Sequence, residues 1–189
     1  METFDLLRRV HGVCERLGID YHTVGSMATI MFGIPRLTLD VDVVLDLHLN
    51  QVDDFCDEFP PDEFFLSKPA VMEAVRRRTQ FNIVQSTTAL KVDCIIPDGS
   101  AHSLSEMGRG TTRPTPAGFV ARFASPEDVI IKKMEYFRLG GSDKHLSDSA
   151  QVLQVSRSQI DRAYIDRWAG VLNLTDIWEV IQTRADNPS

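Results

Sequence analysis

A chain of 189 residues, 43% hydrophobic and 25% charged, has the apolar material for one domain, or for one domain with a small helical appendage. Disordered, collagenous and disulfide-scaffold classes are excluded by that composition, and no apolar stretch approaches the ~18 residues of a membrane span. A net charge of −7, from 20 Lys+Arg against 27 Asp+Glu, argues against a chain that binds along a nucleic-acid backbone, which needs a broad positive surface. The N-terminal segment alternates charged and apolar residues and lacks the apolar core of a secretion signal. Cys14, Cys56 and Cys94 are odd in number and have no metal-ligand spacing, so they fit reduced thiols. The expected location is cytoplasmic.

Leu6, Val10, Val13 and Leu17 recur at helical spacing and predict an amphipathic helix over 4–17, stopped by Gly18. A short strand follows over 19–24. Gly25-Ser26 then opens a second helix over 27–32, ended by Gly33 and Pro35. The next strand alternates most clearly, with Leu39, Val41, Val43, Leu45 and Leu47 on one face and Thr38, Asp40, Asp42, Val44 and Asp46 on the other. Helical segments are predicted at roughly 51–58 and 69–78. Strands at 81–85 and 90–96, separated by Ser86-Thr87-Thr88, read as a hairpin and imply a mixed sheet. The Gly- and Pro-containing stretch 97–115 reads as loop, and 118–123 as a last strand. Ser125-Pro126-Glu127-Asp128 is a helix start with a cap, a proline at the first position and carboxylates at the positive end of the dipole. That helix should stop at Gly140-Gly141, with further helices near 143–154, 158–172 and 175–185. The expected division is a core over 1–124 and a helical subdomain over 125–189.

Asp40 and Asp42, two apart on a strand, would project from one face with Cα atoms roughly 6.5–7 Å apart. Their repulsion would be relieved by a hard divalent cation such as Mg²⁺, although in isolation the pattern also fits a solvated strand face. Gly25-Ser26, at a strand-to-helix turn, would let a phosphate approach the backbone, with a hydroxyl and free N–H groups to receive it. A simple tight turn with a serine cap has the same residues. Asp93, inside the apolar strand around Val92, is disfavoured there by propensity and burial and asks for an explanation.

In order and spacing, Gly25-Ser26, thirteen residues, Asp40-Val41-Asp42 and then Val92-Asp93 resemble the DNA polymerase β-like nucleotidyltransferase superfamily. Within it, Arg36-Leu37-Thr38-Leu39-Asp40-Val41-Asp42 is similar to the AbiEii-type toxin nucleotidyltransferases. So are Ser125 to Met134, Arg138, and Lys144 to Asp148. The resemblance covers about residues 20–155. It implies an α+β fold: a mixed-sheet nucleotidyltransferase core with helices on one side and a C-terminal helical subdomain, the active site lying in a cleft between them.

By position, the resemblance implies that Gly25 and Ser26 hold the nucleotide triphosphate and that Asp40 and Asp42 coordinate Mg²⁺. Asp93 would complete a second metal position and help activate the attacking hydroxyl. Lys133 would reach the phosphates. Lys132 is the neighbouring register, and helical periodicity favours Lys133, which shares a face with Val129, Tyr136 and Phe137. Arg36 could meet a phosphate or be a solvated flank. Asp148 could bond the lysine or orient the tail. The activity implied is Mg²⁺-dependent transfer of an NMP from an NTP to an acceptor hydroxyl. A toxin of a toxin–antitoxin pair is suggested, with an antitoxin protein as partner and an RNA, such as the tRNA 3′ end, as acceptor. Arg76, Arg77 and Arg78 would offer a local docking patch, or else a solvated helix end. The alternatives are a catalytically weak nucleotide- or partner-binding relative, and a small-molecule, antibiotic-type nucleotidyltransferase.

Overall fold

The computed structural model describes residues 2–34 and 38–187. In chain order the elements are α1 (Thr3–Leu17), β1 (Tyr21–Val24), α2 (Gly25–Phe32), β2 (Val41–Leu45), α3 (Val52–Asp57), β3 (Phe64–Phe65), α4 (Lys68–Arg77), β4 (Gln80–Gln85), β5 (Lys91–Ile95), α5 (Ala101–Arg109), β6 (Thr111–Pro114), β7 (Val120–Phe123), α6 (Pro126–Gly140), α7 (Asp143–Val155), α8 (Arg162–Val171) and α9 (Thr175–Asp186). Two compact units result, one from Met1–Met27 and Thr38–Phe123, the other from Ala28–Leu37 and Ala124–Ser189. Among the described residues, no helix is long and apolar enough to cross a membrane.

All seven described strands lie in the first unit, in one mixed sheet of order β3-β4-β5-β2-β1-β7-β6. The pairs β2–β5 and β1–β7 are parallel and the remainder antiparallel. Helix α1 buries Leu6, Leu7, Val10, Val13 and Cys14 completely, the i, i+1, i+4, i+7, i+8 stripe of an amphipathic helix. The sheet contributes Val41, Val43, Leu45, Ile83, Val92 and Cys94 to the core. These are alternate residues of their strands, so the residues between them must point to the other face.

The strand predicted over 39–47 is shorter than its alternation suggested. It begins at Val41, and Leu39 is 62% exposed rather than part of the core. The cause is the neighbour. Strand β1 ends at Val24, which pairs with Asp42, and the chain then turns into α2, leaving Leu39 and Asp40 no β1 residue to pair with. The supposed loop 97–115 holds α5 and edge strand β6. Ser100 caps α5 by accepting from the Ser103 N–H at 3.1 Å. Its buried face carries His102 and Glu106, so it lacks the apolar stripe that reveals a helix.

In the second unit, Ser125 caps α6 by accepting from the Asp128 N–H at 3.2 Å, with Pro126 at the first position. Helix α6 packs on α7 and α8, and α7 on α9. Ile130, Ile131, Met134, Val152, Leu153, Ile165, Trp178 and Ile181 are buried there. Helix α8 starts at Arg162, later than expected, because Asp161 caps it through the Tyr164 N–H.

Candidate active site

One row of residues crosses four adjacent strands. Asn82 of β4 faces Asp93 of β5, Asp93 faces Asp42 of β2, and Asp42 faces Val24 of β1. Residues in register on neighbouring strands present their side chains on the same face, on backbones ~4.8 Å apart. Asp42 and Asp93 therefore stand side by side, while Val41, Val43, Val92 and Cys94 hold the opposite face in the core. Two carboxylates at ~5 Å repel by about 3 kcal/mol at an effective dielectric near 20. A sheet accepts that only if something compensates.

Part of the compensation is Lys91, two residues before Asp93 and on the same face of β5. Its Nζ lies 3.0 Å from Asp93 Oδ2 and 3.2 Å from Oδ1. The hydrogen bond to Asp93, then the Asp93 charge, hold the Lys91 ammonium above its ordinary pKa. Desolvation opposes this, and Asp40 and Asp42 add smaller support. From β4, the Asn82 side-chain amide faces Asp93 Oδ1 at 2.7 Å, and the chemistry of that contact assigns its nitrogen, as donor, to the carboxylate side.

Asp42 is positioned from the other side by Gly25. A Cβ at position 25 would lie 2.0 Å from Asp42 Oδ2 and 2.9 Å from Cγ, and Gly25 has φ +62°. Only glycine satisfies both conditions: the left-handed backbone disfavours a side chain, and the Asp42 carboxylate occupies its space. Ser26 follows as the second residue of α2, so the β1–α2 turn and the carboxylate row form one local arrangement.

Asp40 does not lie on the strand with Asp42 as expected. It is exposed, one residue before β2, its N–H directed at Thr38 Oγ1 at 3.3 Å. Among the described residues, no three His, Cys, Asp or Glu side chains converge closely enough to hold a metal ion. Asp42 and Asp93 carry the oxygen donors that Mg²⁺ prefers, and as an in-register pair they fit such an ion by the chemistry of their donors, while Asp40 does not join them in one cluster.

No protein-family model matches the chain, and no curated protein matches it in sequence. Solved structures do. An antigenic nucleotidyltransferase-like protein from Paracoccidioides brasiliensis is similar with a TM-score of 0.55 and 17% identity, over 96% of this chain and 92% of that one. The chain has the nucleotidyltransferase fold. ANT(2'')-Ia, an antibiotic-resistance factor solved with adenylyl-2''-tobramycin, gives a TM-score of 0.49 and 11% identity, over 95% of this chain and 97% of that one. A CCA-adding enzyme solved with ATP gives 0.40 and 9%, over 97% and 51%.

Within this nucleotidyltransferase fold the remaining predicted residues are distributed as follows. Arg36 lies outside the described residues. Lys133 belongs to the second unit, where it is 6% exposed and its Nζ binds Asp148 Oδ2 at 2.7 Å. Lys132 pairs with Glu135 at 3.0 Å. His145, whose ring centroid is 5.7 Å from that of Tyr136, is held below its ordinary pKa by burial first and then by Lys133 and Lys144, against an opposing pull from Asp148. In the arginine triplet, Arg77 pairs with Glu73 and Arg78 donates to the Pro97 carbonyl at 2.9 Å, leaving less of the triplet for docking.

Sequence reasoning missed Lys91 and Asn82. Both were legible in principle. Lys91 is two residues from Asp93 on one strand face, and the hairpin register brings Asn82 opposite. It also missed two buried polar pairs at β1. His11 Nε2 lies 2.9 Å from Thr23 Oγ1, and His22 Nε2 lies 3.2 Å from Glu106 Oε1. Burial, and then the neighbouring His22, push the His11 pKa down to about 3.

Proposed function

We propose that the chain is a Mg²⁺-dependent nucleotidyltransferase that transfers an NMP from an NTP to an acceptor hydroxyl. The observation that carries this reading is the in-register pair Asp42–Asp93, with Asp42 set against Gly25 at the mouth of the β1–α2 turn. A sheet has no structural need for two adjacent carboxylates on neighbouring strands. A site for hard cations does.

In this reading Asp42, Asp93 and Asp40 hold the divalent ions, which when bound neutralise charge on the attacking and leaving oxygens of an in-line displacement. Gly25 and Ser26 would meet the triphosphate at the β1–α2 turn, where Ser26 supplies a hydroxyl donor. Lys133 and Arg36 are the proposed sources of positive charge for the triphosphate. Asp93 orients the acceptor hydroxyl and takes up its proton. The acceptor oxygen then bonds to the α-phosphorus as the α–β anhydride bond breaks, and pyrophosphate leaves. The carboxylates also argue against a non-catalytic relative, in which such crowding would cost stability without return.

The finer reading is a toxin of a toxin–antitoxin pair that modifies an RNA such as the tRNA 3′ end, with an antitoxin protein as its partner. Incubation of α-labelled NTPs with Mg²⁺ and either total tRNA or a panel of hydroxylated antibiotics tests it. Label in tRNA that disappears in Asp42→Asn supports it. Label in the small molecules replaces the RNA acceptor with an antibiotic-type one, and label in neither with any NTP overturns the transferase.

A further inference from the structure

We propose that Lys91 is the built-in counter-ion of the carboxylate row: its ammonium holds Asp93 until a divalent cation displaces it, so Lys91 sets the metal affinity of the site. This rests on the nucleotidyltransferase reading above.

Three observations carry it. Lys91 engages both oxygens of Asp93, at 3.0 and 3.2 Å, so it covers the lone pairs a metal would use. Its side chain is 49% exposed, against 21% for Asp93, so it can swing into water without disturbing the core, while Val92 between them stays fully buried and fixes the strand. The Asn82 amide lies 2.7 Å from Asp93 Oδ1 and, with its nitrogen assigned to that side, is a second donor independent of Lys91, which would keep the carboxylate oriented for a new partner. An ammonium and a divalent ion on the same carboxylate would repel each other, and a metal at ~2.1 Å from oxygen takes the place of a donor at hydrogen-bond distance.

An ordinary exposed ion pair, there only to steady the strand, would share the geometry but not the consequence for metal binding. Mn²⁺ without nucleotide is therefore titrated into the full chain by calorimetry, for the wild type, Lys91→Met, Lys91→Arg, Asp42→Asn, Asp93→Asn and Lys91→Met/Asp93→Asn, with thermal unfolding confirming that each variant folds. Because the cation must break a half-exposed ion pair, removing that pair predicts binding tighter by up to about fivefold in Lys91→Met. Lys91→Arg should stay within about twofold of the wild type, because the charge is retained. In the Asp93→Asn background Lys91→Met should give less than that gain, because the carboxylate it competes for is gone. Unchanged or weaker binding in Lys91→Met, with wild-type binding that Asp42→Asn abolishes, overturns the role of Lys91 and leaves the metal site standing. No Mn²⁺ binding by any of these proteins overturns the metal site and this inference together.

Discussion

Replacing Gly25 by alanine perturbs two things at once, and the structure separates them. The first is backbone strain: at φ +62° an L side chain costs roughly 1–2 kcal/mol. The second is collision, because the new methyl would sit 2.0 Å from Asp42 Oδ2, and Asp42 must leave its rotamer at about 0.5–1.5 kcal/mol more. The sum, about 1.5–3.5 kcal/mol, corresponds to a fall in Tm of ~3–14 °C for a chain of this size. Gly118→Ala is the control. It has φ +76° with nothing within 4 Å of the added Cβ, so it carries the strain without the collision. Calorimetric unfolding should place Gly25→Ala below Gly118→Ala, and Mn²⁺ titration should show weakened binding in Gly25→Ala alone. Asp42→Ala should remove most of the difference in Tm between the two. Equal Tm losses and unaltered metal binding in both glycine variants would refute the reasoning that Gly25 positions Asp42.

The Lys133–Asp148 pair, both side chains below a tenth exposed, predicts that Lys133→Met or Asp148→Leu alone costs ~3–5 kcal/mol in denaturant unfolding, and that the double variant recovers most of it. His11 has its folded pKa near 3 against ~6.5 unfolded. The unfolded chain therefore takes up the extra proton between those values, and stability falls as pH drops from about 6.5 toward 3, by up to ~1.4 kcal/mol per pH unit from this group. His11→Gln should flatten that acid limb in pH-dependent melts. Burial pushes the Cys14 thiol up to about 12, aided by Glu15, and raises Cys94 as well. A thiol reagent followed by mass spectrometry should therefore label Cys56 before either.

The sequence was most legible where a single physical rule acts alone. Gly18 and Pro126 mark helix ends by their backbone preferences and Ser125 by its capping hydroxyl, and the structure uses each as such. The hairpin of β4 and β5 follows from alternation on either side of a polar turn. Legibility failed where a partner distant in sequence decides. Asp40 alternates correctly with Asp42 yet falls outside the strand, because β1 stops at Val24. Helix α5 was hidden because His102 and Glu106 face inward, and Glu106 is matched there by His22, 84 residues away. The carboxylate row was half visible. Asp42 and Asp93 could be named from type and spacing, but their side-by-side register emerges only when β2 and β5, far apart in sequence, are laid together.

The proposed function requires Asp42 and Asp93 to form a metal-dependent nucleotide site. Calorimetric titration of the Mg²⁺ complexes of ATP, GTP, CTP and UTP into the wild type and Asp42→Asn/Asp93→Asn tests this directly. At least one nucleotide should bind the wild type only when Mg²⁺ is present, and the double variant should lose that binding while keeping its fold. Equal heats for the two proteins, or no binding of any nucleotide to the wild type, would contradict it.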